Sequence, residues 1–254
     1  MRSFLAGLLV AFISAGCAGD SAGDPMQLTV FAASSLGAVF TERVEPGFEA
    51  SHEGVDVVFN FAGSDSLAAQ IRSEGSADVF ASASGAWMDI VADDPGVTGR
   101  VDFVRNRLVM VTPIANPAGI VSIDDLAAPG VQLVLAAEGV PAGDYAREAL
   151  DAAGILAGAV DNVVSNDEDN ASVVAKVAAG EADAGIVYAS DVSSAAGNDV
   201  IAIELAPDVN VIATYPIAVV GGSANPALAS DLVAYVTGPE GRAALAEYGF
   251  EPVA

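Results

Sequence analysis

Leu28-Thr29-Val30-Phe31-Ala32-Ala33-Ser34-Ser35-Leu36 is an apolar run that closes on two serines and passes into a longer stretch of helical character. It predicts a strand over residues 28–32 and a helix over 36–50, joined by a short hydroxyl-bearing turn. The same unit recurs outward along the chain. Further strands are predicted at 55–61, 78–81, 108–112, 132–136, 184–188, 200–203 and 215–220. Helices are predicted at 66–74, 123–127, 144–153, 171–179, 226–237 and 239–248. Strands alternating with helices at this spacing predict an α/β fold of mostly parallel sheets flanked by helices. Two features predict two lobes. A new strand begins within 105–113 after a Gly/Asp-rich stretch, and another begins at 214–217 after a Pro- and Asp-bearing loop. A chain crossing out at the first and back at the second gives a discontinuous lobe, 27–106 plus 214–254, around a continuous one, 107–213.

Composition removes several function classes. The 254 residues include 34 Asp or Glu against 9 Lys or Arg, a net charge of −25. Binding a nucleic-acid backbone needs basic residues that displace counterions, so nucleic acid is excluded as a partner. An anionic membrane face would repel the chain for the same reason. Hydrophobic residues at 53% and charged residues at 17% suit a packed domain, not a disordered acidic one. One Cys and one His leave no internal disulfide, no His/Cys metal cluster and a single imidazole base.

Arg2 precedes an uncharged apolar run over 4–15 that is too short for a bilayer, which takes about 20 residues, and has the proportions of a signal-peptide core. Ile13-Ser14-Ala15-Gly16-Cys17 resembles a bacterial lipobox, departing from it at Ser14, where Leu is usual. The resemblance implies removal of residues 1–16, a lipid on Cys17 and an extracytoplasmic protein held to the membrane by that lipid alone. Residues 17–26 would then be a tether. Gly19-Asp20-Ser21-Ala22-Gly23 matches the nucleophile-elbow pattern but lacks the preceding strand and following helix an elbow needs.

Four places put small hydrogen-bond donors between a strand end and a helix start: Ala32-Ala33-Ser34-Ser35-Leu36, Ala62-Gly63-Ser64-Asp65-Ser66, Val140-Pro141-Ala142-Gly143-Asp144 and Asp167-Glu168-Asp169-Asn170. Unpaired N–H groups and the helix dipole make such junctions anion sites, and ligands of α/β sheets collect beyond the strands' carboxyl ends. Taken singly, each is equally ordinary cap and turn chemistry.

Their order carries more. Val30-Phe31-Ala32-Ala33-Ser34-Ser35-Leu36 resembles the opening of the periplasmic molybdate-binding proteins of ABC transporters. The likeness continues through Phe61-Ala62-Gly63-Ser64-Asp65-Ser66-Leu67-Ala68, Ala77-Asp78-Val79-Phe80-Ala81-Ser82-Ala83 and Trp87-Met88. It runs on through Val140 to Ala146, Gly185-Ile186-Val187-Tyr188-Ala189-Ser190-Asp191, Tyr215-Pro216-Ile217-Ala218-Val219 and Tyr248-Gly249-Phe250. The resemblance implies a two-lobed type II periplasmic binding protein fold closing on a tetrahedral oxyanion, molybdate or tungstate, with no cofactor and no catalysis. Ser35 and Ser64 would bind from one lobe, and the Ala142 N–H and Tyr188 phenol from the other. The fifth position falls at Asn170, where the family often has Val donating a backbone N–H; Ala171 departs from the basic residue commonly beside it. Implied partners are the membrane subunits of an ABC permease, served by a monomer.

Molybdate at neutral pH is a dianion without a proton, so each oxygen wants a donor. Hydroxyl and N–H groups supply that, and a carboxylate in the site would repel. Phosphate keeps a proton that needs an acceptor; sulfate differs by its shorter bonds. Alternatives are another tetrahedral oxyanion such as sulfate, a surface lipoprotein with a degenerate pocket, and a hydrolase using paired carboxylates, although no acidic pair stands out. A calcium loop at Asp167 fails because Ala171 and Ser172 occupy positions that need ligands and Gly. His52 reads as a solvated loop residue and Trp87 as packing at a helix start.

Overall fold

One strand, β4 (Val97–Pro113), runs through both halves of the molecule. The computed structural model describes residues 25–193 and 199–253. Residues 97–107 of β4 pair antiparallel with β9 (Ile212–Val220), and from Leu108 onward its partner becomes β7 (Ala184–Tyr188). The change falls between Arg107, opposite Ile212, and Leu108, opposite Tyr188. On one side β9 leads to β3 (Val79–Ala81), β1 (Met26–Ala33) and β2 (Val55–Ala62); on the other, β7 leads to β5 (Leu133–Ala136) and β6 (Val163–Asp167). Strands β8 (Val200–Glu204) and β10 (Glu251–Pro252) also pair with β4.

The fold is α/β, but its sheets are mixed. β1 is parallel to β2 and β3, and β5 to β6 and β7, whereas every pair involving β4 or β9 is antiparallel. Parallel pairing is therefore confined to the strands that feed crossover helices. Residues 97–107 do not read as a strand because their alternation is broken. Five successive residues from Thr98 are exposed, and the register shifts between Thr98 and Val101 and again between Asp102 and Val104. Strands β6 and β10 and the helices Leu156–Asp161 and Ala189–Ser193 are likewise additions to the predicted set, while Gly85–Asp93 is the helix at whose start Trp87 is expected to pack.

The helix predicted at 36–50 is helical over 34–51, but it is not uniform. It starts as a 3₁₀ turn (Ser34–Leu36), widens to a π turn (Phe40–Val44) and resumes as α-helix at Glu45–Ser51. Pro46 has no N–H for the usual bond one turn back, and the wider turn sits just ahead of it.

Val30, Phe31, Ala32 and Ala33 are all buried, so β1 is covered on both faces. Phe40 and Phe48 pack on one face, and Leu67, Ile71, Phe80 and Met88 on the other. In the second half Val109, Val111, Val173 and Val187 form the corresponding layer. The proposed signal segment, Cys17 and the tether up to residue 24 lie outside the described residues. Among those described, no helix is long and apolar enough to cross a membrane.

Candidate functional site

The chain enters a helix just beyond the carboxyl ends of β1, β2, β5 and β6, and residues from these four junctions line one cavity. Ser35 and Ser64 reach it from the first half; Ala142, Asn170 and Tyr188 reach it from the second. All five residues singled out in the sequence are thus brought together. Among the described residues, none that lines the cavity is charged. It is small, about 10 Å³ counted at the centres of water-sized spheres. Adding back a radius of about 1.4 Å gives room for a body roughly 2–3 Å in radius. That suits one small ion and excludes a sugar or a peptide.

Three full helices begin at this cavity. Ser64 is the first residue of Ser64–Glu74, Ala142 the second of Pro141–Ala152, and Asn170 the first of Asn170–Ala178. First-turn N–H groups have no acceptor inside their helix, so the cavity faces three sets of backbone donors and three positive dipole ends. Pro141 fits its place because an N–H there has no helical partner anyway. Gly143 is required by a close approach. A Cβ there would stand 2.2 Å from the Ala137 carbonyl oxygen and 2.4 Å from that of Ala136. Arg147 fastens the same turn, donating to the carbonyls of Ala136 (2.9 Å) and Gly143 (2.8 Å) and to Asn166 Oδ1 (2.6 Å).

The side chains arrive with their protons available. Ser64, buried, accepts the Ala83 N–H at 2.9 Å, which leaves its own proton to give. Ser35 Oγ lies 2.9 Å from the Tyr215 hydroxyl. Asp169 caps its helix by accepting the Ser172 N–H at 2.8 Å, so the Asn170 N–H is left among the orphan donors of that turn. The Asn170 amide donates to Asp191 Oδ2 at 2.7 Å, while its Oδ1 is buried without a partner among the described residues.

A tyrosine ending a buried strand often ties its hydroxyl to the backbone. Tyr188 does not: its hydroxyl is buried and makes no hydrogen bond of ordinary geometry among the described residues, its polar neighbour being the Tyr215 hydroxyl. Its ring lies edge-on to Tyr215, with centroids 5.8 Å apart. Burial, reinforced by the neighbouring Tyr215 hydroxyl, pushes its acidity well below that of an ordinary phenol, so it stays a donor.

Asp191 stands behind the lining. It accepts the Tyr188 N–H at 2.9 Å as well as the Asn170 amide, and burial pushes its pKa up to about 7 against the pull of those two bonds. Trp87 does more than pack at a helix start. Its indole N–H donates to the Gly139 carbonyl at 3.0 Å, tying the first half to the loop ahead of Pro141. His52 lies at the end of Glu45–Ser51, stacked on Phe48 at 4.0 Å. Among the described residues no cluster of His, Cys, Asp or Glu could hold a metal ion. Asp167 pairs instead with Lys176 and Ser165. Ser34, which also lines the cavity, lies in the first donor-bearing junction, whereas Asn106, Tyr215 and Asp191, which support the lining, carry no sequence signal of their own. Tyr215 and Asp191 lie inside resemblance motifs, and Asn106 lies in the run 105–113 within which a new strand is predicted to begin.

A family model described as bacterial extracellular solute-binding protein matches residues 28–251. The molybdate-binding protein ModA of Mycobacterium tuberculosis is 41% identical over 224 residues, covering 88% of this chain and 84% of that protein. ModA of Escherichia coli is 35% identical over 248 residues, covering 94% and 95%. The solved periplasmic molybdate-binding protein of Azotobacter vinelandii superposes with a TM-score of 0.77 over 89% of this chain and all of that one. At 19% identity this last likeness speaks for the fold alone.

Proposed function

This chain belongs to the bacterial extracellular solute-binding proteins, and on that premise we propose that it captures molybdate outside the cytoplasm and delivers it to an ABC importer. One observation carries the reading: a cavity of single-ion size, lined by no charged residue among those described and faced by hydroxyls and three helix starts. The proposed ligand set is the Ser35, Ser64 and Tyr188 hydroxyls with the backbone N–H groups of Ala142 and Asn170. A dianion without protons can accept from all five. Hydrogen bonds to a charged partner are worth about 1.5–3 kcal/mol each, enough for capture without an arginine. Tungstate has the same charge and shape and binds at the same place.

Binding, not turnover, is the whole activity in this reading, and the working unit is a monomer. Residues 27–106 with 214–254 form one lobe and 107–213 the other, closing on the ion, with β4 crossing between them. Cleavage before Cys17 and a lipid on that residue hold the protein at the membrane, beside the permease it serves. At a net charge of −25 the mean field repels a dianion. Screening confines that field to about 8 Å at physiological salt, and capture is left to the donors at the cavity.

Thermal melting with molybdate, tungstate, sulfate and phosphate tests the reading. A ligand at 100 times its Kd adds about 2.7 kcal/mol of stability. Shifts with the first two alone support molybdate capture; a shift with sulfate alone would reassign the ligand, and none with any of the four would defeat the proposal.

A further inference from the structure

We propose that Tyr215 is a positioning residue that turns the Ser35 hydroxyl into a donor aimed at the oxyanion cavity. The inference rests on the oxyanion-binding reading and concerns a residue that does not line the cavity. A serine hydroxyl can present either its proton or its lone pairs. Facing a dianion, the first attracts and the second repels, so something must set the choice.

The choice is set from β4. Asn106 is fully buried there, next to the point where the strand changes partners. The Arg107 N–H, which can only donate, bonds Asn106 Oδ1 at 3.1 Å and so identifies the oxygen end of that amide. The nitrogen end then faces Ser190 Oγ at 2.8 Å and, over a longer contact of 3.4 Å, the Tyr215 hydroxyl. An amide NH₂ has only protons to give, so the Tyr215 oxygen accepts. Its own proton is left for Ser35 Oγ, 2.9 Å away. The Ser35 oxygen accepts in turn, and its proton is left for the cavity. Tyr215 is fully buried, and burial keeps its phenol protonated far above neutral pH. Ser64 obtains the same polarity by a shorter route, from the Ala83 N–H. Both serines thus reach the ion as donors.

Tyr215 also packs, edge-on to Phe250 at 5.7 Å and to Tyr188 at 5.8 Å. A purely structural role predicts loss of stability without any special dependence on Ser35. A double-mutant cycle separates the two roles. Wild type, Tyr215→Phe, Ser35→Ala and the double variant are titrated with molybdate calorimetrically, and each is melted without ligand. Tyr215→Phe keeps the ring and should weaken binding about tenfold in the wild-type background, the worth of one hydrogen bond. In the Ser35→Ala background the same change should cost less than about twofold. Asn106→Ala, run beside it, removes the donor to Tyr215, leaves both rings in place and should show the same dependence on Ser35. Equal losses in both backgrounds, or no loss from Tyr215→Phe, overturn the inference while leaving molybdate capture standing. A wild type that binds no molybdate removes the reading beneath it, and the inference falls too.

Discussion

Replacing Tyr188 by Phe should move stability and affinity in opposite directions. The change removes one oxygen and leaves the edge-on contact with Tyr215 in place. That oxygen is buried and makes no hydrogen bond of ordinary geometry among the described residues, with the Tyr215 hydroxyl as its polar neighbour. An unpaired buried polar group costs about 1–3 kcal/mol, so the ligand-free variant should melt higher, by about 2–4 °C for each kcal/mol in a chain of this size. In the complex the same hydroxyl gives a proton to a dianion, a bond worth about 1.5–3 kcal/mol. Losing it should weaken Kd by roughly 10- to 150-fold. Melting without ligand and calorimetric titration with molybdate measure the two effects separately. A variant that binds as tightly as wild type would remove Tyr188 from the ligand set. One that binds weakly but also melts lower without ligand would mean that the hydroxyl has a partner in the free protein.

Four further outcomes follow from the same geometry. Ser64→Ala should lower both quantities, because it strips the buried Ala83 N–H of its acceptor. Ligand-free stability should fall by about 1–3 kcal/mol and Kd should weaken about tenfold, a stability change opposite in sign to that of Tyr188→Phe. Gly143→Ala drives a methyl into two backbone carbonyls; melting should show a loss of about 1–3 kcal/mol, and titration should show weaker binding as the Ala142 N–H is displaced. Asn170→Val keeps the backbone N–H and removes a buried, unpartnered carbonyl, so molybdate affinity should stay within a few-fold of wild type by titration, and a collapse of binding would assign the ligand contact to the side chain. Asp191 has a folded pKa raised from 3.8 to about 7, so its contribution favours folding at low pH and is lost as pH rises through about 7. Melting temperatures of the ligand-free wild type should therefore fall over that interval relative to Asp191→Asn, and a constant difference between the two would contradict the assignment.

The strand-to-helix units were legible because hydrophobic runs and small capping residues are local signals. Residues 28–36 became a buried strand and a helical turn, and the helix Pro226–Thr237 begins and ends at the predicted residues. The early part of β4 was not legible, because its exposed face and register shifts remove the alternation that marks a strand. Antiparallel pairing of β4 and β9 was hidden for a different reason: pairing direction depends on where the chain returns, and no short segment encodes it. At the site, residues at helix starts announced themselves as Ser, Gly and Pro beside strand ends. Asn106 and Tyr215 did not, since their role lies in bonds to residues 84 and 180 positions away. Asn170 shows the limit within a motif. Its position could be read, but its bond to Asp191 could only be seen in three dimensions.

Calorimetric titration of the protein with molybdate, beside a Ser35→Ala, Ser64→Ala double variant, tests the central claim most directly. The expected result is one saturable site per chain in the wild type, and binding weakened at least a hundredfold in a variant that still melts cooperatively. No saturable binding by the wild type, or equal affinity in the double variant, would contradict a molybdate site built at these helix starts.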